Sequence, residues 1–404
     1  MKLISCDLLV VGGGVAGCCA AVAAARRGVR TILVEREEHL GGTGFSGMLQ
    51  HICGLYLNGD SIPSETLNGG LTHEIVQLLM NTSSRTLVQK IGQVYVLPYN
   101  ANSLQEVLGS LLESESTLTV MRNTAVTGVE SNYGKISSVT AEVPGRTQGI
   151  TPAMVVDCTG NGDVAAMAGA EFELSPLNER QLAGFSIRIS GLEIGDSSLS
   201  IKVPYVCAQA VLQKILPLHM KFTSFNYGDT PDECFIKMSL DGEDSPERDA
   251  LARKNAHILL AHLGQLLPPF KDARITGTAL NVQDREGRRI IGDYILTEED
   301  ILTARKFPDA IVKNAWPIEL WDRSKGTLYK YVPRGDYYEI PFSSITVKGL
   351  SNLLTAGRCI SVSREALGST RVMGTCMALG EQAGLATASC VRNGEYRSFV
   401  TRQT

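Results

Sequence analysis

Residues 8–17, LLVVGGGVAG, together with Glu35 at the end of TILVE, restrict what this chain can fold into more than any other stretch of it. Four apolar residues in a row suit a strand buried on both faces, and Gly12, Gly14 and Gly17 then make a turn with no room for side chains. The following run, CCAAVAAARRG, predicts a small-residue helix whose first-turn amides are free to face a pyrophosphate. Glu35 comes about twenty residues after the turn, at the tip of a second strand, where a carboxylate meets ribose hydroxyls. Strand, glycine turn, helix, strand and acid, in that order, outline a complete dinucleotide-binding βαβ unit.

A chain of 404 residues is long for one domain and suits two that share a large core. Hydrophobic residues make up 44% and charged residues 20%, so long disordered tails are not expected. A net charge of -4 leaves no basic footprint, which argues against a nucleic-acid partner. The ten cysteines are scattered and none form a CxxC pair. That argues against a bound metal or iron–sulfur cluster and for a reducing, cytoplasmic setting. The N-terminus leads straight into the first strand, and apolar stretches stop short of a membrane span, so neither an export signal nor an integral membrane segment is expected.

Along the chain, REEHLGGTGFSGMLQHICGLY is glycine-dense and aperiodic, which predicts a loop over the ligand leading into a short helix. ETLNGGLTHEIVQLL reads as a turn and an amphipathic helix, GQVYVLPYN as a strand closed by Pro98, and NSLQEVLGSLLES as a helix on the sheet. Residues 118–157 alternate between turn signals and predict a strand, an antiparallel meander and a last buried strand at Met154–Asp157. The middle mixes strand-like FSIRIS and CFIKMSL with a long helix near Arg248–Leu267. SNLLTAGRC and TCMALGEQAGLATASCVRNG then return to a strand and a small-residue helix, so the two ends of the chain should be neighbours. The expected fold is α/β: a Rossmann-like nucleotide domain, with a parallel sheet and an antiparallel meander, carrying an inserted α+β cap. The first domain is assigned residues 1–60, 101–170 and 345–404, and the substrate or cap domain residues 61–100 and 171–344.

Three further glycine motifs narrow the cofactor: LGGT at 40–43, VVDCTGNGD at 155–163 and LLTAGR at 353–358. A nicotinamide site needs only the opening motif, so the extra loops favour a longer, permanently held cofactor such as FAD. At this point the chain resembles FAD-dependent oxidoreductases of the glutathione-reductase structural type. It is most similar to those distantly related to fumarate reductase and succinate dehydrogenase flavoproteins. The segments that carry the resemblance are VVGGGVAG…VE…LGGT, VVDCTGNGDVAAMAGA, REGRRIIGDYILTEEDI and YEIPFSSITVKGLSNLLTAGRCISVSREALGSTRVMGTCMALGEQAGLATA.

The resemblance implies roles residue by residue. Gly12, Gly14, Val15, Ala16 and Gly17 would lie against the pyrophosphate, Glu35 and Arg36 beside the adenosine ribose, and Gly42 and Thr43 over the phosphates. Val126 would offer backbone hydrogen bonds to adenine. Gly160, Gly357 and Arg358 would follow the cofactor's polar chain, with Asp163 bonding that chain or capping the next helix. Gly368 and a helix start at Met373, Gly374 and Thr375 would approach the flavin, and the positive end of that helix would favour its anionic reduced form. The pattern departs slightly from the usual one, with Gly374 where proline is expected and Arg364 where histidine is frequent.

On the substrate side, His51 could act as a general acid or base, be a packed loop histidine, or link covalently to the flavin. Cys53 reads as an inert small residue, having no second cysteine near it in sequence. In REGRRIIGDY, Arg285, Arg288 and Arg289 lie beside Glu286 and either clamp a substrate carboxylate, with Arg288 the catalytic candidate, or form an internal salt-bridge network. Arg371 in GSTRVMG is the strongest catalytic candidate, as a cation beside the flavin. The set Trp316, Trp321, Tyr337 and Tyr338 lines a pocket or simply packs, and packing is the simpler expectation.

The function expected is an FAD-dependent oxidoreductase that moves a hydride between a small organic substrate, of a kind that can be anionic, and flavin N5, and exchanges electrons with an acceptor or donor the sequence does not name. The alternatives are a flavin monooxygenase, for which no second GxGxxG supplies a nicotinamide site, and a maturation flavoprotein acting on a protein-bound residue. No motif encodes the oligomeric state, and a homo-oligomer stays open.

Overall fold

The computed structural model describes residues 2–394. The opening strand, Lys2–Val11, lies at the centre of the main sheet, paired in parallel with Thr31–Val34 on one side and Arg146–Asp157 on the other. Leu118–Met121 extends the sheet on one side and Leu350–Thr355 on the other, both in parallel register, with Thr346–Val347 antiparallel outside the latter. Ala125–Asn132 and Lys135–Val143 form the antiparallel meander, the second of them pairing with Arg146–Asp157.

Every residue of the first helix, Val15–Ala25, is buried, because it is enclosed between the sheet and the final helix, Met373–Asn393. Small residues make that approach feasible. A Cβ on Gly380 would stand 2.0 Å from the Ala16 carbonyl oxygen, and one on Gly384 would stand 2.2 Å from that of Ala20. The two ends of the chain therefore share one core.

A second, separate core is built from Ala183 to Val282. Its sheet runs Ser224–Tyr227, Glu233–Leu240, Ala183–Ser190, Arg274–Thr278, antiparallel throughout, and helices Leu199–Leu212 and Pro246–Leu266 belong to the same unit. Ser245 caps the longer helix by accepting from the Arg248 N–H, with Pro246 at the first position. The cores do not follow the boundaries expected at 61–100 and 171–344. Helix Gly70–Thr82 lays Leu71, Ile75 and Leu79 into the first core, and Leu296, Ile301, Val312, Tyr338 and Ile340 join it too. Segments expected to roof the substrate thus help to build the nucleotide-side core.

Alternation decides what the second sheet does. Ala183, Phe185, Ile187 and Ile189, with Cys234, Ile236, Met238 and Leu240, turn into its core. The intervening Gly184, Ser186 and Lys237 face the other way, into a cleft between the two cores.

Candidate functional site

The cleft has a volume of about 550 Å3 and runs from the opening glycine turn to the polar face of the second sheet. At its outer end Gly12, at φ 101°, ends the first strand so tightly that a Cβ would fall 2.5 Å from the Cys158 carbonyl oxygen. The Gly13 N–H donates to Glu35 Oε2 at 2.5 Å and the Glu37 N–H to Oε1 at 2.9 Å, so the carboxylate is fixed at the strand tip. The LGGT loop is zipped onto this turn: the Gly41 N–H donates to the Gly13 carbonyl at 2.8 Å, and Gly42 comes so near Gly14 that a Cβ would be 3.0 Å from its Cα. No side chain caps the Val15–Ala25 helix, which starts at Gly14. A free helix N-terminus beside open glycine backbone and a fixed acid suits a dinucleotide.

Further along, Asp157 is wholly buried; its Oδ1 accepts from the Thr159 N–H and Oγ, and its Oδ2 from the Ala165 N–H. Burial raises its pKa, while these donors hold the turn that presents Gly160 and Gly162 with positive φ. Arg358 crosses the cleft floor, donating to the Gly160 carbonyl at 2.9 Å, Asn161 Oδ1 at 2.7 Å and the Asp284 carbonyl.

Of the residues singled out from sequence, Gly12, Gly14, Val15, Ala16, Glu35, Arg36, Gly42, Thr43, Val126, Gly160, Asp163, Gly357, Arg358 and Met373 line the cleft, as do His51 and Arg371. Gly17, Gly368, Gly374 and Thr375 do not; they support its wall. A Cβ on Gly17 would overlap the Gly12 oxygen at 1.8 Å, one on Gly368 would meet the Glu319 backbone at 2.9 Å, and one on Gly374 the Gly54 backbone at 2.8 Å. Thr375 is fully buried beneath them.

Arg288 is a correction. It is turned onto Asp163 at 2.8 Å and lies outside the cleft, while Arg289 pairs with Glu173 at 3.2 Å. The salt-bridge network is the arrangement found for both, and Arg285 is the arginine of this group that enters the cleft. Asp163 does not cap its helix, because Gly162 occupies that position. Trp321 lines the cleft, whereas Trp316 packs on Val94 and Val96, and Tyr338 is fully buried.

The inner end gathers His51, Cys53, Lys237, Arg285, Glu319, Trp321 and Arg371. Desolvation and the Lys237 charge lower the His51 pKa, leaving a neutral imidazole. Burial pushes the Cys53 thiol up to about 12, so no thiolate nucleophile forms there. Burial, then Arg285 and Arg371, bring Lys237 down to about 7. Arg285 lies on the Trp321 ring at 3.8 Å, and burial followed by Arg371 lowers it to about 9. Arg371 is lowered by burial and donates to the Glu319 carbonyl at 3.0 Å and Gln181 Oε1 at 3.3 Å. Lys237 and Glu319 were not anticipated from sequence. The only available signal was a lysine interrupting the apolar CFIKMSL run, which reads as the solvent face of a strand.

Among the described residues, no group of three or more His, Cys, Asp or Glu side chains could hold a metal ion, and no helix is long and apolar enough to cross a membrane.

Comparison with curated proteins finds no match. Among solved structures, a geranylgeranyl bacteriochlorophyll reductase-like protein from Thermoplasma acidophilum is similar with a TM-score of 0.53 and 12% identity, over 100% of this chain and 82% of its own. The OxyS anhydrotetracycline hydroxylase from Streptomyces rimosus gives 0.55 and 12%, over 98% of this chain and 65% of its own. CabE, an aromatic hydroxylase from angucycline biosynthesis, gives 0.52 and 13%, over 98% and 67%. At these identities the likeness concerns the fold. The family model described as FAD dependent oxidoreductase matches residues 7–402. The glycine cradle, the fixed acid and that match over nearly the whole chain lead to one conclusion: this protein belongs to the FAD-dependent oxidoreductase family and is an enzyme whose cofactor is FAD.

Proposed function

We propose that the enzyme moves a hydride between a carbon of a small organic substrate and N5 of FAD, in the chamber at the inner end of the cleft. One observation supports this: the groove that begins at Gly12 and Glu35 is continuous with a chamber faced by His51, Trp321 and Arg371. FAD supplies the two-electron chemistry, and the chain supplies binding, orientation and proton handling. Gly12, Gly14, Val15, Ala16, Gly42 and Thr43 would hold the phosphates, Glu35 and Arg36 the ribose, and Val126 the adenine. Gly160, Asp163, Gly357 and Arg358 would follow the polar chain, leaving Met373 and its helix terminus for the flavin end.

When the substrate is the donor, bound FAD would supply the hydride acceptor for its C–H bond, and His51 would take the proton of the adjacent O–H or N–H. The lowered His51 pKa supports that role, since a neutral ring nitrogen can accept a proton. Arg371 would orient the substrate by its charge.

The test is to purify the protein, record its visible spectrum, reduce it anaerobically with candidate substrates and follow reoxidation by quinones, fumarate-like acceptors and oxygen. The expected result is a yellow protein bleached by substrate and reoxidised by an organic acceptor. A colourless protein that takes up no FAD overturns the reading, and oxygen consumption coupled to substrate hydroxylation replaces it with a monooxygenase. Arg371→Ala should slow flavin reduction by about a hundredfold while FAD stays bound. Unchanged reduction would remove Arg371 from the site.

A further inference from the structure

The inner chamber holds more positive charge than its carboxylates balance. Lys237 comes from strand Glu233–Leu240, Arg285 from the segment after that sheet, and Arg371 from the turn before the final helix. Among the described residues none of the three forms an ion pair. The partners of Arg285 Nη1 and of the Arg371 guanidinium are carbonyl and amide oxygens: Leu182 for the first, and Arg285, Gln181 and Glu319 for the second. Lys237 rests over the Trp321 ring, its Nζ 4.8 Å from the centroid.

Two arginine nitrogens are left over. Arg285 is only 7% exposed, yet its Nη2 has no acceptor, and the same holds for Arg371 Nε. Two carboxylates lie nearby: Glu319 opposes all three cations and Glu286 opposes Arg371, and each has one oxygen already engaged. Glu319 Oε1 accepts from Trp321 Nε1 at 2.8 Å, and Glu286 pairs with Arg364 at 3.2 Å. Three cations thus face one free-standing carboxylate, Glu319, and desolvated charge in excess is normally kept for a ligand that supplies the rest.

The floor beneath them is open by construction. A Cβ on Gly184 would lie 3.1 Å from Arg285 Nη2 and 3.2 Å from Lys237 Cε, so any larger residue would crowd both cations. The Arg285 guanidinium lies 3.8 Å from the centroid of the Trp321 ring, and its Nη2 is the unused donor. A planar guanidinium fork matches a planar carboxylate better than a tetrahedral anion.

We propose that Lys237, Arg285 and Arg371 form a subsite for a carboxylate of the substrate, with Trp321 as its wall and Gly184 as its floor. The assignment rests on the hydride-transfer reading of the same chamber and adds the substrate's class. Lys237 supplies an adjustable part of the charge. His51, Cys53, Glu319 and both arginines act on it electrostatically, and a bound carboxylate stabilises its protonated form.

Isothermal titration of succinate, succinamide, inorganic sulfate and inorganic phosphate into the protein, with and without FAD, tests this. Succinate should bind saturably while succinamide does not, and succinate should bind more tightly than either inorganic anion. Lys237→Gln should weaken succinate by about tenfold or more with FAD content unchanged, and Arg285→Lys, which keeps the charge but loses the planar fork stacked on Trp321, should weaken it as well. Wild-type affinity should fall as pH rises through about 7, and that fall should be missing in Lys237→Gln. Equal binding of succinate and succinamide, tighter binding of sulfate or phosphate, or a folded Lys237→Gln with wild-type affinity would overturn the subsite. Succinate binding without flavin reduction or reoxidation by any substrate would sink the hydride reading alone; flavin reduction by a substrate without succinate binding would sink the subsite alone.

Discussion

Glu35 shows how local order can set a side chain in place for the role proposed for it. Its two oxygens accept backbone N–H groups from Gly13 and Glu37, fixing the carboxylate at the strand tip before any cofactor arrives. Glu35→Ala should therefore weaken FAD by about tenfold or more, since hydrogen bonds to a charged group are each worth about 1.5–3 kcal/mol; flavin fluorescence titration measures it. Lys237 makes the opposite demand on the fold. Its folded pKa of about 7 lies below the ordinary lysine value, so the unfolded chain holds the proton more tightly. Its contribution to stability is present only above the unfolded value, is lost as pH falls toward 7, and changes no further below that. Lys237→Met should accordingly raise the melting temperature most at pH 6 and progressively less toward pH 10, with unfolding followed in low-salt buffer without carboxylates. At this scale the sequence is legible where function is local. The glycines and Glu35 sit within one βαβ unit, so their spacing carries their meaning. Arg285 and Arg288, three positions apart in one basic run, look alike until Asp163, distant in sequence, captures Arg288 at 2.8 Å.

Between elements, the closest approach is that of the first and last helices. Gly384→Ala would place a methyl 2.2 Å from the Ala20 carbonyl oxygen, and overpacking of this kind costs about 1–3 kcal/mol. The expected outcome is a lower melting temperature in the FAD-free protein, with little change in FAD affinity if the helices re-space without moving the glycine turn. The principal strands and helices at both ends of the chain were readable from alternation and small-residue runs, as were Ala183–Ser190, Glu233–Leu240 and the Pro246–Leu266 helix. The hairpin of Ile318–Asp322 with Gly326–Lys330 was not. WPIELWD combines aromatic, apolar and acidic residues because one strand contributes both packing and cleft wall, and that mixture has no single period.

In the whole molecule, the cleft is bounded by two cores, and polar links join them along it. Gln283 Nε2 donates to Ser46 Oγ at 3.2 Å, the Leu280 N–H to the Ser46 carbonyl at 2.8 Å, and Arg358 reaches the Asp284 carbonyl. FAD should protect backbone amides around residues 12–17 and 41–43 and also those around 183–186 and 280–285. Adenosine diphosphate should protect only the first pair of segments. Hydrogen exchange read by mass spectrometry separates the two patterns, and identical patterns would mean that the second core does not touch the flavin half. Domain boundaries escaped the sequence because Gly70–Thr82 and the strands near 310–341 are interrupted in the chain but continuous in the first core. The alternation in the second sheet carries a consequence for divergence. In strands 183–190 and 233–240 one parity of residues holds the domain together, and Gly184, Ser186 and Lys237 of the other parity face the cleft. Replacements at Ser186 and Lys237 can change which molecules are accepted while the packed side keeps its apolar set. Relatives with unlike substrates can thus arise by editing the few cleft-facing positions of two strands, with the fold's stability held in the residues between.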